Sequence, residues 1–259
     1  MHSSTITQEA ILKLFGIFSQ TTAKQEAKSH YATDIHSHLI PGIDDGVKTL
    51  EESVSLIKQL HETGINRIIT TPHIRGELYE NTPDIILSGL EQVKEALKEQ
   101  QIEITIEAAA EYYVDEYFGE KIRNNEPLMT FGHQKYILIE FSHFSPPVNY
   151  KTILFDLQSR GYHVVLAHPE RYYYFHNNMD VFQDFYERGI LLQLNLVSLA
   201  GFYDKPAMKI ARKLIEKGFY SFAGSDLHNK FYLDAYRKIL SSHDYMQLKE
   251  RCVIMNDML

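Results

Sequence analysis

From Tyr31 onward the chain repeats one pattern: a short apolar run, a loop, then a helical stretch. The runs cover 31–36, 66–71, 102–113, 136–141, 163–168, 190–195 and 219–223, and several are rich in β-branched residues. Helical periodicity falls between them at 49–62, 83–99, 149–160, 180–188 and 205–217, and two further helical stretches reach the C-terminus. In the first of these helices, Thr49 and Glu52 have the spacing of a capping box. Val54, Ile57 and Leu60 then share one face, and Gly64 follows as a stop. Seven short strands separated by helices must pair in parallel through crossover connections. No solenoid period and no low-complexity linker interrupts the pattern, so one α/β domain over 31–259 is expected.

Residues 1–30 stand apart. Residues 8–19 place Ile11, Leu14, Phe15 and Phe18 at helical spacing, and polar 20–30 reads as a linker or frayed helix. We expect an N-terminal helical extension packed on the main domain. Docking to a membrane surface or a partner is the alternative.

The strands deliver polar residues. His36 and His38 end the first one, two residues apart, so they point to the same face. The loop of Pro41, Gly42 and Gly46 then carries Asp44 and Asp45, and a loop carboxylate can fold back on the pair. Later strand ends bring His73, Glu111, Glu140 and His168, and finally Asp226 and His228. In a closed or nearly closed barrel these ends converge on one pocket, whereas an open sheet would leave the outer ones far apart. A mixed histidine and carboxylate set without cysteine suits Mn, Fe or Zn. Nine ligands exceed the needs of one ion, so two or three ions are expected. Such a cluster lowers the pKa of bound water and clamps phosphoryl oxygens, which favours hydrolysis of a phosphate ester. Arg171, three residues after His168, can hold a phosphate oxygen in a bidentate fork. A surface ion pair with Glu170 or Asp180 is the alternative for it.

Other features exclude chemistries. The formal charge of −8 argues against nucleic acid as a partner. No apolar run approaches the ~20 residues of a membrane span. A single cysteine, Cys252, allows no intrachain disulfide and points to a reducing, cytoplasmic compartment. No basic region followed by an apolar core marks a signal peptide. Cys252 also lacks a Cys-x5-Arg phosphate loop, so thiolate catalysis is not expected. His61, His133, His163, His176 and His243 are read as structural or solvated, and Glu107 as structural; His143 takes the same reading, with reach to the site rim as its minority alternative.

The segments DIHSHLIPGIDDG (34–46), TPH (71–73), AEYY (110–113), IEF (139–141), AHPERY (167–172) and GSDLH (224–228) together resemble the polymerase-and-histidinol-phosphatase (PHP) superfamily. The branch they are most similar to is that of metal-dependent bacterial protein tyrosine phosphatases of capsule and exopolysaccharide loci. The resemblance implies a distorted (β/α)7 TIM-like barrel and a multinuclear site preferring manganese. The implied metal ligands are His36, His38, Asp45, His73, Glu111, Glu140, His168, Asp226 and His228. Arg171, Asp226 and His228 are the implied catalytic set. It also implies phosphotyrosine substrates on bacterial tyrosine kinases that control polysaccharide export. Glu140 stands where many relatives carry histidine, and residues 1–30 match no part of the family pattern.

Two further readings compete: a small-molecule phosphatase acting on histidinol phosphate, and a metal-binding regulatory module without turnover. Tyr112, Tyr113, Phe141 and the aromatics 172–175 follow strand ends. They are expected to wall a pocket for a phenyl ring, with Arg171, Tyr113 and Tyr172 touching substrate. The alternative is that these rings pack loops against the barrel rim.

Overall fold

The computed structural model describes residues 27–259, so the expected helix at 8–19 lies outside the described residues. Nine short strands are formed among the described residues. They are β1 Thr33–Asp34, β2 Arg67–Thr70, β3 His73–Ile74, β4 Thr105–Ala108, β5 Glu111–Tyr113, β6 Tyr136–Glu140, β7 His163–Ala167, β8 Leu191–Asn195 and β9 Tyr220–Gly224. Every ladder between them is parallel. They form two sheets, ordered β1-β2-β4 and β3-β5-β6-β7-β8-β9.

Two expected strands are each divided. The 66–71 run breaks at Pro72, which has no N–H to donate, and resumes as β3. The 102–113 run divides at Ala109-Ala110 into β4 and β5. Hydrogen bonds still bridge both gaps, from Ala109 N to Thr70 O at 2.9 Å and from Glu111 N to Pro72 O at 3.1 Å. At the other edge, Ser37 pairs in parallel with Leu227. There Asp226 N donates to His36 O at 2.8 Å, and His38 N to Leu227 O at 3.0 Å.

The helices start where side chains satisfy their first N–H groups. Thr49 accepts from Glu52 N, Thr82 from Ile85 N, Asp204 from Ala207 N and Ser242 from Tyr245 N. The expected capping box is altered: the Glu52 carboxylate accepts from Lys48 N at 2.9 Å. The helix Glu116–Arg123 was not expected. It is eight residues long and contains Gly119, so too few turns mark it in the sequence, and it starts at its Asp115 cap.

Most buried apolar side chains form one large cluster that includes the inner faces of the helices. A second cluster gathers Ile35, Ile69, Ala109, Leu138, Val165 and Phe222, from both sheets, closed by Phe131 and Tyr136. The inward faces of the strands therefore touch one another, and the polar strand ends stand together above them.

Candidate active site

Local backbone geometry aims the strand ends inward. His36 and His38 share a face as their spacing requires, and their Nε2 atoms lie 3.4 Å apart. His168 and Asp226 both adopt left-handed backbone, with φ of 30° and 50°. Non-glycine residues pay for that conformation, and such strain gathers where side chains must be aimed. The 41–47 loop folds back on His38, with Val47 N donating to His38 O at 3.1 Å. Gly46 permits this: a Cβ there would lie 2.2 Å from His38 O.

Glu111 occupies the centre, nearly fully buried. Its Oε2 lies 3.1 Å from His73 Nδ1, 3.2 Å from His36 Nε2 and 3.4 Å from His38 Nε2. Its Oε1 lies 3.3 Å from His168 Nε2. Asp226 Oδ1 is 3.3 Å from His36 Nε2 and 3.4 Å from both His38 Nε2 and His228 Nδ1. Glu140 reaches His168 at 3.6 Å and His143 at 3.3 Å. Asp45 reaches His73 at 3.6 Å and His228 at 3.4 Å. All nine expected ligands thus converge. Ligand atoms of His38, Asp45, His73 and His228 lie within 4.8 Å of one another, as do those of His36, His168 and Asp226, and those of His73, Glu111 and Glu140.

The donor set fits cations. Both oxygens of Glu111 and Nδ1 of His73 are buried without a hydrogen-bond partner. Leaving a buried carboxylate unpaired is costly, and coordination to a metal removes that cost. The outer ring nitrogens are anchored instead. His36 Nδ1 meets Gln193 Oε1 at 2.9 Å, and His38 Nδ1 meets Asp44 Oδ2 at 2.7 Å. Donation to those oxygens puts the proton on Nδ1 and turns the Nε2 lone pairs to the centre. Asp44 also accepts from His73 N at 3.0 Å, so it orders two strand ends.

Charge divides unequally over the cluster. Burial raises the Glu111 carboxyl, but His36 and His73 outweigh it and hold the group well below the usual range. Asp226 is likewise driven low against burial, by His36 and His228. Burial and then the charge of Glu111 push Glu140 far up. Burial depresses His36, yet Glu111 and Asp226 lift it to about 9. Burial and then Arg171 lower His168 to about 4 and His143 to about 3.

Asp45, His73, Glu111, Glu140, His143, His168, Asp226 and His228 line a cleft of about 250 Å³ that also takes in Arg75, Tyr79, Tyr113, Phe144, Arg171 and Tyr232. The Arg171 guanidinium is 3.6 Å from Asp226 Oδ2 and lies over the Tyr203 ring at 4.1 Å. Tyr203 in turn bonds Asp226 Oδ2 at 2.9 Å. Neither Glu170 nor Asp180 pairs with Arg171. Glu170 is fully buried and accepts from Asn195 N, Ser198 Oγ and Tyr220 OH.

The aromatic expectations divide. Tyr113 lines the cleft. Tyr172 does not touch it: the side chain is fully buried, its hydroxyl donating to Ala167 O and accepting from Phe141 N, each at 2.9 Å. Its assignment to substrate is therefore corrected to core. Tyr112, Phe141 and Phe175 are core residues as well. The rings that do face the cleft are Tyr79, Phe144 and Tyr232, which the sequence reading missed. Tyr232 lies four residues after His228, just inside the following helix Lys230–Ile239, and its ring stacks on that of His228 at 4.9 Å. His143 lines the cleft, whereas His61, His133, His163, His176 and His243 do not. Glu107 pairs with Arg67 at 2.8 Å, outside the cleft. Cys252 is buried, and burial pushes its thiol up to about 11.

Parallel strands carrying this cluster at their ends define a class of α/β proteins with a candidate polynuclear metal centre. The chain belongs to the family described as "Capsular polysaccharide synthesis, CpsB/CapC", whose profile matches residues 32–249. It is similar to the tyrosine-protein phosphatase YwqE of Bacillus subtilis, 31% identical over 198 residues, covering 76% of this chain and 77% of that protein. It is also similar to the tyrosine-protein phosphatase CpsB of Streptococcus agalactiae, 32% identical over 216 residues, covering 80% of this chain and 88% of that one. Among solved structures it resembles one from work on YwqE and Streptococcus pneumoniae CpsB, described as metal-dependent tyrosine phosphatases. There the TM-score is 0.71 at 28% identity, over 84% of this chain and 91% of that one. A phosphotriesterase homology protein from Escherichia coli shares the fold, with a TM-score of 0.50 at 14% identity, over 85% of this chain and 91% of that one.

Proposed function

We propose that the chain is a metal-dependent protein tyrosine phosphatase, with residues 31–259 as its catalytic domain and 1–30 as an extension. The observation that carries this reading is Glu111, a buried carboxylate with both oxygens unpartnered among four histidines. The proposed ligands are His36, His38, Asp45, His73, Glu111, Glu140, His168, Asp226 and His228. Their nitrogen and oxygen donors suit manganese best, with iron or zinc as substitutes, in two or three sites. The proposed frame is a distorted (β/α)7 barrel. The Ser37–Leu227 bridge and the apolar cluster shared by both sheets support it.

Divalent ions bound there would neutralise phosphoryl charge and lower the pKa of water. The chain's own residues do the rest. Gln193 and Asp44 hold His36 and His38 in one ring orientation, so nothing reorganises during the reaction. Asp226 and Tyr203 hold the Arg171 guanidinium at the cleft, where it binds a phosphoryl oxygen. Tyr79, Phe144 and Tyr232 offer ring faces to a substrate phenyl group. A phenolate is a good leaving group, so the chain has little need of a general acid. The names of the relatives support phosphotyrosine as substrate, and the family description supports a role in capsule synthesis; the proposed partner is a bacterial tyrosine kinase of capsule or exopolysaccharide synthesis. The proposed compartment is cytoplasmic; among the described residues no helix is long and apolar enough to cross a membrane.

The test is kcat/KM on matched phosphotyrosine and phosphoserine peptides and on histidinol phosphate, with manganese. We expect the phosphotyrosine peptide to be preferred at least about tenfold, the scale of one well-packed ring. Equal turnover of both peptides, or preference for histidinol phosphate, would overturn the substrate assignment.

A further inference from the structure

The cleft holds two arginines, and their surroundings differ. Arg171 faces the cluster and is within 3.6 Å of Asp226. Arg75 also lines the cleft, with its guanidinium 4.1 Å above the Tyr113 ring. Among the described residues no carboxylate lies within 4.0 Å of it. A guanidinium stacked on a ring keeps its edge donors free for a second group.

The loop that carries Arg75 is built, not loose. Arg75 and Tyr79 exchange both backbone hydrogen bonds at 2.9 Å. Gly76 N donates to Asp115 Oδ2 at 3.0 Å, and a Cβ on Gly76 would meet Tyr117 Cβ at 2.7 Å. The loop is thus clamped against the start of the Glu116–Arg123 helix. Arg75 follows His73 by two residues along β3 and its extension, roughly 6–7 Å further outward. That position is nearer the mouth of the cleft than the histidine and carboxylate cluster. The whole chain carries −8, so an acidic substrate is repelled by the molecule at large and needs a local cation.

We propose that Arg75 selects an acidic residue flanking the phosphotyrosine, binding its carboxylate from the Tyr113 platform. This rests on the phosphatase reading above. Arg75 and Tyr113 then act together as a specificity element, and Tyr113 supports the arginine instead of packing the substrate ring with that face.

The experiment compares kcat/KM of the manganese-loaded protein on three phosphotyrosine peptides, with glutamate, glutamine or lysine flanking residues. In the wild type the glutamate peptide should lead the glutamine peptide by roughly threefold to fivefold, the size of one exposed ion pair. That ratio should shrink as salt rises. Arg75→Ala should bring the ratio to about one, and Arg75→Glu should invert it in favour of the lysine peptide. Gly76→Ala, which displaces the loop without touching a charge, should also flatten it. Turnover of all three peptides at equal efficiency would overturn the selection alone. An unchanged ratio in Arg75→Glu would do the same. Turnover of none would overturn the phosphatase reading and this inference with it.

Discussion

At the scale of single residues, parity and position along a strand decided most of the candidate site. His36 and His38 had to share a face, and Glu140 and His168 had to stand at strand ends, while Glu111 opens β5 after the break at Ala109-Ala110. The structure brings their side-chain atoms to within 3.8 Å of a partner in the cluster. Tyr172 shows what adjacency cannot tell. The short 3-10 turn Pro169–Arg171 sends Arg171 into the cleft and turns the next residue back into the core. Gln193 was illegible for a similar reason: it works through the outer nitrogen of His36, and nothing local marks that role, whereas Asp44 sits on the loop already read as folding back on the histidine pair. At this scale we expect His36→Ala and Asp226→Ala to lose bound metal and roughly a hundredfold or more of kcat/KM while keeping the circular dichroism of the parent. Arg171→Ala should cost about 10- to 100-fold, the worth of one charge-assisted hydrogen bond. Metal affinity should fall with pH. Glu111 and Asp226 lift His36 to about 9, so below that pH a cation must displace a proton from it. Affinity therefore weakens by up to about tenfold per pH unit for each proton displaced. Calorimetric titration with Mn at pH 6 and pH 8 checks this sign.

At the scale of elements, the strand–helix alternation was legible because each helix is amphipathic and most are capped by a side chain at the first turn. The divisions of two strands were partly legible, since Pro72 announces one of them. The break at Ala109-Ala110 has no such marker; Ala109 meets the inner cluster and Ala110 the large one. The loop of Arg75 and Tyr79 could not be read at all, because its shape comes from ties to Asp115 and Tyr117, distant in sequence. The 41–47 loop offers the sharpest test at this scale. Gly46→Ala would put a Cβ 2.2 Å from His38 O, so the loop must move and carry Asp44 and Asp45 with it. We expect a loss of about 1–3 kcal/mol in stability and a clear loss of metal affinity. Urea denaturation and a metal titration read the two effects separately.

At the scale of the whole molecule, both ends of the strand assembly are sealed by residues distant in sequence. At the lower end Asn256 donates to Thr33 O at 2.8 Å and to Ala223 O at 2.7 Å, and accepts from Ala223 N at 3.1 Å. It thereby ties β1 to β9 where no ladder joins them, a role with no trace in local periodicity. At the upper end the cluster itself joins residues of β3, β5 and β6 to the segments that follow β1, β7 and β9. Five carboxylates crowd there, from Asp44, Asp45, Glu111, Glu140 and Asp226, and cations are the natural complement to that charge. Binding at a site made from so many elements must stabilise the fold, since the unfolded chain cannot assemble it.

Metal dependence of turnover is thus the central claim, and one measurement tests it most directly. The protein is stripped with a chelator, its metal content is verified, and phosphate release from a phosphotyrosine peptide is followed as manganese is restored. The account predicts negligible release from the stripped protein and recovery in step with two or three bound ions per chain. Full activity in verified metal-free protein would contradict it.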